Sequence, residues 1–169
     1  ALRGIERAGL VSLIFLLCFV ALGIRSGPIL AAISTMLAMG ICLTLGFATL
    51  AVGELNTLSM IFVVLFFGLG VDFAAHFTLR VQADLDQELG TALGQALRDT
   101  GPALALCTLT SAVSFLAFLP TAYRGLAELG VISAGGIVIA FVLTLSIIPA
   151  VLLRWPPVPR KPVEKAGFE

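Results

Sequence analysis

Five apolar runs set the terms for this chain: residues 8–24, 28–52, 58–79, 103–122 and 129–153. Each is near or above the roughly 17–25 residues that a helix needs to cross hydrocarbon. Inside a bilayer every backbone N–H and C=O must be satisfied within the protein, which favours helices for segments of this length. The expected fold is therefore all-α, a polytopic bundle of five transmembrane helices. Composition agrees. Of 169 residues, 59% are hydrophobic and 12% are charged, about half the charged share of a soluble domain. Mean hydropathy is +1.11.

Five spans put the two termini on opposite sides, and the basic residues decide which side is which. Arg25, Arg80, Arg98, Arg154, Arg160, Lys161 and Lys165 share the side of the C-terminus, against Arg3, Arg7 and Arg124 on the other. That imbalance predicts a cytoplasmic C-terminus and an external N-terminus. The chain opens on Ala1, and the first apolar run lacks a small-residue cleavage pattern, so no signal peptide is expected. The sequence reads as a piece of a longer protein.

The connectors differ in kind. Arg25-Ser26-Gly27-Pro28 predicts a tight turn, with Pro28 opening the next helix. Residues 53–56 and Arg124-Gly125 mark the external turns, with Tyr123 placed for the membrane interface. In residues 81–100, Leu85, Leu89, Leu93 and Leu97 recur every fourth position among Asp84, Asp86, Glu88, Gln95 and Arg98. This pattern predicts an amphipathic connector helix on the cytoplasmic surface or on the bundle. Gly90 and Gly94 weaken it, and Thr100-Gly101-Pro102 is expected to break the chain before the fourth span. Residues 155–169, with Pro156, Pro157, Pro159 and Pro162, read as a polar, extended tail or linker.

Within the third run stands Asp72. A carboxylate at bilayer depth costs at least about 2.5 kcal/mol on insertion scales, so it faces the bundle interior or a wet cavity and marks a candidate ion or proton path. A structural carboxylate paired on a neighbouring helix is the competing reading. Asp72, His76 and Arg80 follow at i, i+4 and i+8 on roughly one helix face. Histidine normally changes charge near neutrality, so Asp72 and His76 are candidate proton-relay residues, while a neutral packing histidine is an equal alternative. Arg80 reads as a snorkelling interfacial anchor. In the fourth run Thr108, Thr110, Ser111 and Ser114 are candidate partners for Asp72, with Thr110 or Ser114 expected within reach. Each hydroxyl can instead bond back to its own helix. Gly68, Gly70 and Gly135, with Gly130 and Gly136, are expected packing positions, and Pro149 is expected to kink the last span.

Several classes are disfavoured. Cys18, Cys42 and Cys107 each lie alone among apolar residues, and His76 is the single histidine, so neither a metal site nor a disulfide framework is indicated. Ten basic and ten acidic residues give no net charge, and nothing points to nucleic acid. No GxSxG, HExxH or phosphate-binding loop is present, so no enzyme is expected.

The segment Gly68-Leu69-Gly70-Val71-Asp72-Phe73-Ala74-Ala75-His76-Phe77-Thr78-Leu79-Arg80 resembles the fourth transmembrane helix of the resistance-nodulation-division superfamily. It is most similar to the mycobacterial membrane protein large branch, whose pattern is a Gly-Leu-Gly-Val-Asp-Tyr run followed by a His and then an Arg. Further matches lie in residues 92–103, 108–117 and 145–153, and the resemblance covers residues 8–153. It implies an export permease driven by protons, with no other cofactor. Each half of such a permease has one helix, a large external domain and five more helices, and this chain is similar to those five. Asp72 matches the relay aspartate; Phe73 stands where many relatives have Tyr. The resemblance implies the bacterial inner membrane, a second half of the same permease, an oligomeric assembly and a hydrophobic or lipid-like substrate, a hopanoid among the candidates. The alternative is a non-transporting module of the sterol-sensing or secretion-accessory kind, binding lipid or partner proteins.

Overall fold

The computed structural model describes residues 26–53 and 57–157 of the chain. It shows four helices in this part: α1 (Gly27–Ala51), α2 (Thr57–Ala83), α3 (Leu89–Leu116) and α4 (Arg124–Arg154). The expected span 8–24 and the tail beyond residue 157 lie outside the described residues, as do Arg3, Arg7, Cys18, Arg25, Arg160, Lys161 and Lys165. Two of the described helices, α1 and α4, are long and apolar enough to cross a membrane. No strand occurs among the described residues.

Local chemistry sets several helix ends. Pro28 occupies the first turn of α1, where its missing N–H would have been unpaired anyway. At the other end the N–H of Val52 bonds the carbonyl of Ala48 at 2.9 Å, and Gly53 follows at φ +87°, a left-handed conformation that a side chain would oppose. Helix α2 runs one turn past the expected limit at residue 79, so that Arg80 remains helical.

The expected connector helix over 81–100 does not form as a separate element. Its first residues end α2, residues 84–88 make the turn, and the rest opens α3, which continues through Pro102 to Leu116. Thr100-Gly101-Pro102 therefore does not break the chain. The reason is packing. Ala92, Leu93 and Ala96 are buried and continue the stripe of Leu104, Thr108 and Ala112, while Leu85, Leu89 and Leu97 pack partly buried on the same core. A proline removes one helical hydrogen bond, but a helix held by its neighbours survives the loss. The amphipathic pattern itself is real: Asp86, Glu88, Gln95 and Arg98 are exposed.

Helix α4 packs against each of the other three, and glycines let it approach them. A Cβ on Gly136 would collide with the Phe62 ring and lie 3.0 Å from Thr44 Cγ2. On Gly135 it would strike the Phe47 ring, and on Gly130 the carbonyl of Phe115. Gly40 on α1 receives the Phe66 ring in the same way. Phe62 and Phe66 meet edge to face at 5.7 Å, one turn apart on α2. Among lipid tails, which are as apolar as the side chains, such close fits replace hydrophobic burial as the force between helices. Pro149 lies inside α4, beside buried Ile148.

Candidate functional site

Helices α2 and α3 form an antiparallel hairpin, and between them opens a groove of about 370 Å³. Its α2 wall is Leu69, Asp72, Phe73 and His76; its α3 wall is Asp99, Thr100, Ala103, Leu104 and Cys107. The register is regular. As α2 steps from Asp72 to His76 to Arg80, α3 steps back from Cys107 to Ala103 to Asp99, four residues at a time. Four residues rise about 6 Å, so the groove carries a charged or titratable group at each turn of α2.

Asp72 and His76 are both exposed to the groove side, whereas Phe73, Ala74, Phe77 and Thr78 are buried. The α2 sequence sorts them: Phe62, Phe66, Gly70, Phe73, Phe77 and Val81 recur at intervals of three or four and turn one stripe inward. Asp72 and His76 fall beside that stripe, on the flank facing α3. Phe73 gives the groove an aromatic wall and no hydroxyl.

The four candidate hydroxyl residues Thr108, Thr110, Ser111 and Ser114 are placed differently from Asp72. Thr110 donates to the carbonyls of Leu106 and Cys107, both at 3.0 Å. Ser114 donates to the Thr110 carbonyl at 2.8 Å, and buried Thr108 to the Leu104 carbonyl at 2.7 Å. Ser111 is half-buried. None of the four lines the groove, and among the described residues no hydrogen bond joins them to Asp72. Register explains this: the position on α3 level with Asp72 is Cys107, so Thr110 and Ser114 lie one and two turns beyond it. Thr108, Thr110 and Ser114 instead back-bond within α3, the usual recourse of Thr and Ser in an apolar helix.

Of the packing glycines, Gly70 and Gly135 fill that role. A Cβ at Gly70 would meet Leu37 Cδ2 at 3.0 Å, and the Phe47 ring blocks one at Gly135. Gly68 is exposed, and among the described residues nothing lies where its Cβ would go.

Arg80 closes the end of the groove nearest the α2–α3 turn. Its Nε and Nη2 donate to Asp99 Oδ2 at 3.0 and 2.7 Å. Its Nη1 lies 2.9 Å from Asp84 Oδ2, an ion pair whose alignment falls short of a hydrogen bond. The hydrogen bonds to Asp99 hold the guanidinium above its ordinary range, with Asp84 adding to the effect. A raised arginine contributes fully at every pH below its ordinary value and loses that contribution only in strong alkali, so this clasp does not open through Arg80 itself. Arg80 is thus a bridge between two helices as well as an interfacial residue. Asp99 escaped the sequence reading because it stands among connector charges; the hairpin register that pairs it with Arg80 is the signal that reveals it.

No group of three or more His, Cys, Asp or Glu suited to a metal ion occurs among the described residues. Cys42 and Cys107 are free thiols.

The profile of the MMPL family matches residues 3–168. The chain is 37% identical to the hopanoid transporter HpnN of Burkholderia multivorans over 151 residues, 88% of this chain and 17% of that protein. It is 35% identical to the hopanoid transporter HpnN of Rhodopseudomonas palustris over 146 residues, 85% of this chain and 17% of the relative. A third relative, the putative membrane protein ActII-3 of Streptomyces coelicolor, is 32% identical over 116 residues, 66% of this chain and 16% of its own length. The chain thus spans about one-sixth of the curated relatives it matches.

Proposed function

The chain belongs to the MMPL family of resistance-nodulation-division permeases, and on that premise we propose that it is the energy-coupling part of a proton-driven exporter of lipid-like substrates. The observation that carries this reading is the groove between α2 and α3, with Asp72 and His76 one turn apart on one wall. A carboxylate with no protein partner among the described residues, in a membrane helix, marks a functional position by its cost. Ionised, Asp72 favours a wet groove. Protonated, it tolerates tighter packing of α2 on α3. A coupling ion works by stabilising two arrangements differently, and an alternation of this kind supplies that difference.

His76 takes the proton onward from Asp72, since it lies one turn further along the same wall of the groove. Phe73 supplies no hydroxyl to this route, so the second half of the permease shares the proton work. Hopanoids or similar hydrophobic lipids are the substrate class, by similarity to the hopanoid transporters. The protein is a multi-pass component of the bacterial inner membrane, in an oligomeric assembly, with the α2–α3 turn and the C-terminus in the cytoplasm.

Two experiments test this. Asp72→Asn keeps size and hydrogen bonding but cannot exchange a proton. In cells carrying the full-length protein it should lose hopanoid export at least about tenfold, a loss of transition-state or coupling energy above roughly 1.4 kcal/mol, at unchanged membrane level; His76→Ala should show a milder, pH-dependent defect. Near-normal export by Asp72→Asn would remove the relay from this groove. For orientation, a cysteine at Gln82 should react with an impermeant maleimide only from the cytoplasmic side, and labelling from outside intact cells would reverse the topology.

A further inference from the structure

Asp99 enters the groove from the wall opposite Asp72 and His76, and its two oxygens are unequally used. Both Arg80 hydrogen bonds end on Oδ2. Among the described residues no donor reaches Oδ1. The carboxylate is therefore fixed by one oxygen and keeps the acceptor capacity of the other. Its side chain is 46% exposed, so that oxygen is open to water.

Arg80 cannot continue a proton route below His76. A guanidinium has no acceptor and stays protonated, and this one is committed to Asp99 and Asp84. We propose that Asp99, supplied by α3, is the positioning residue for the cytoplasmic end of the proton route, and that Arg80 serves to hold it there. The inference rests on the relay reading of Asp72 and His76.

The step is simple. Protonated His76 gives up its N–H proton to a water hydrogen-bonded to Asp99 Oδ1. An N–H bond breaks and an O–H bond forms, the water passes a proton to the cytoplasmic solvent, and His76 is left neutral. Asp99 does not change charge. It orients the accepting water, and its negative charge favours the protonated imidazole that precedes the step. One turn of helix, about 6 Å, separates the His76 level from the Arg80–Asp99 level, a gap that one bridging water spans. A groove of about 370 Å³ has room for such waters.

Among the described residues the charged and titratable groups around His76 are few. On α2 they are Asp72 and Arg80, in the turn after it Asp84, and on α3 Arg98, Asp99 and the Cys107 thiol. Between Glu128 and Arg154, α4 has no ionisable side chain, and in α1 the only such group is Cys42. Changing Asp99 therefore alters one of two carboxylates that face the imidazole along the groove.

The test uses full-length protein in vesicles of phosphatidylethanolamine and phosphatidylglycerol containing a hopanoid, with proton entry read by a lumenal dye across a pH series. Asp99→Asn should lower proton entry at neutral pH several-fold and displace the pH profile toward acid by about half a unit to one unit, the effect of one charge roughly 6 Å away in a water-rich site. Asp99→Glu should restore the profile. Arg80→Gln frees the Asp99 carboxylate and removes the opposing charge, so it should lower proton entry at neutral pH as Asp99→Asn does while displacing the profile the other way, toward alkali; undiminished entry would overturn the holding role, which keeps the test decisive if Asp99→Asn assembles poorly. A wild-type profile for Asp99→Asn, or an even loss at every pH with no displacement, overturns the assignment. Asp72→Asn runs in parallel: full proton entry there would sink the relay reading itself, whereas its loss alongside an unmoved Asp99→Asn profile would sink only the role of Asp99.

Discussion

The seam between α1, α2 and α4 and the groove between α2 and α3 are drawn from the same apolar vocabulary, yet they are opposite in character. In the seam, rings fill glycine notches: Phe66 at Gly40, Phe62 at Gly136 and Phe47 at Gly135. Its polar members are short and buried, such as Thr44, Ser133 and Thr144. Across the groove, by contrast, α3 presents Ala103 and Cys107 to α2, side chains too small to close the space around Asp72 and His76. The two helices are clasped at one end by Arg80 and Asp99 and left apart above it. A dry, notched seam resists sliding because each displacement drives a ring into backbone. An open groove spanned by small residues tolerates rearrangement. The contrast sets a tightly fitted seam, to which α2 contributes Phe62 and Phe66, against a loosely filled face between α2 and α3, which is where the proposed coupling carboxylate lies.

Substitutions in the two regions should part company by size. Phe66→Ala is expected to have the largest effect on stability, about 3–5 kcal/mol, because a fully buried ring leaves a cavity at Gly40 and Leu143. Thermal unfolding of the purified protein in detergent would read it, and a loss under about 1 kcal/mol would mean that the seam is loosely packed after all. Gly136→Val should cost somewhat less, about 1–3 kcal/mol, since the Phe62 ring must move to admit the side chain. Gly68→Ala is the counterpart on the open side of α2. With nothing near its Cβ among the described residues, it should leave the unfolding temperature unchanged or raise it through the better helix propensity of alanine, worth up to about 1 kcal/mol. A destabilising Gly68→Ala would show that another surface packs tightly there and would blur the division between the two regions.

What the sequence determined by itself was the class of structure and the place of the candidate carboxylate. Long apolar runs in a chain of low charge dictate membrane helices, because unpaired backbone groups are intolerable in hydrocarbon, and α1, α2 and α4 lie where runs 28–52, 58–79 and 129–153 put them. The Gly-Leu-Gly-Val-Asp segment and the hydroxyl-rich run after it sufficed to indicate the family, because that pattern is local. The leucine stripe of the connector also read correctly as amphipathic. Its continuity with α3 did not, since a proline's local tendency to end a helix is overruled by packing that only the assembled bundle supplies. Nor did the sequence say which α3 residues stand opposite Asp72. Helix periodicity fixes a face but not the register between two helices; the turn at 84–88 sets that, and it brings Cys107 and Ala103 to the groove, directs Thr110 and Ser114 past it, and joins Arg80 to Asp99. Spacing along one helix is a local property of the chain, while pairing across two helices is a property of their packing, and the candidate proton path depends on both.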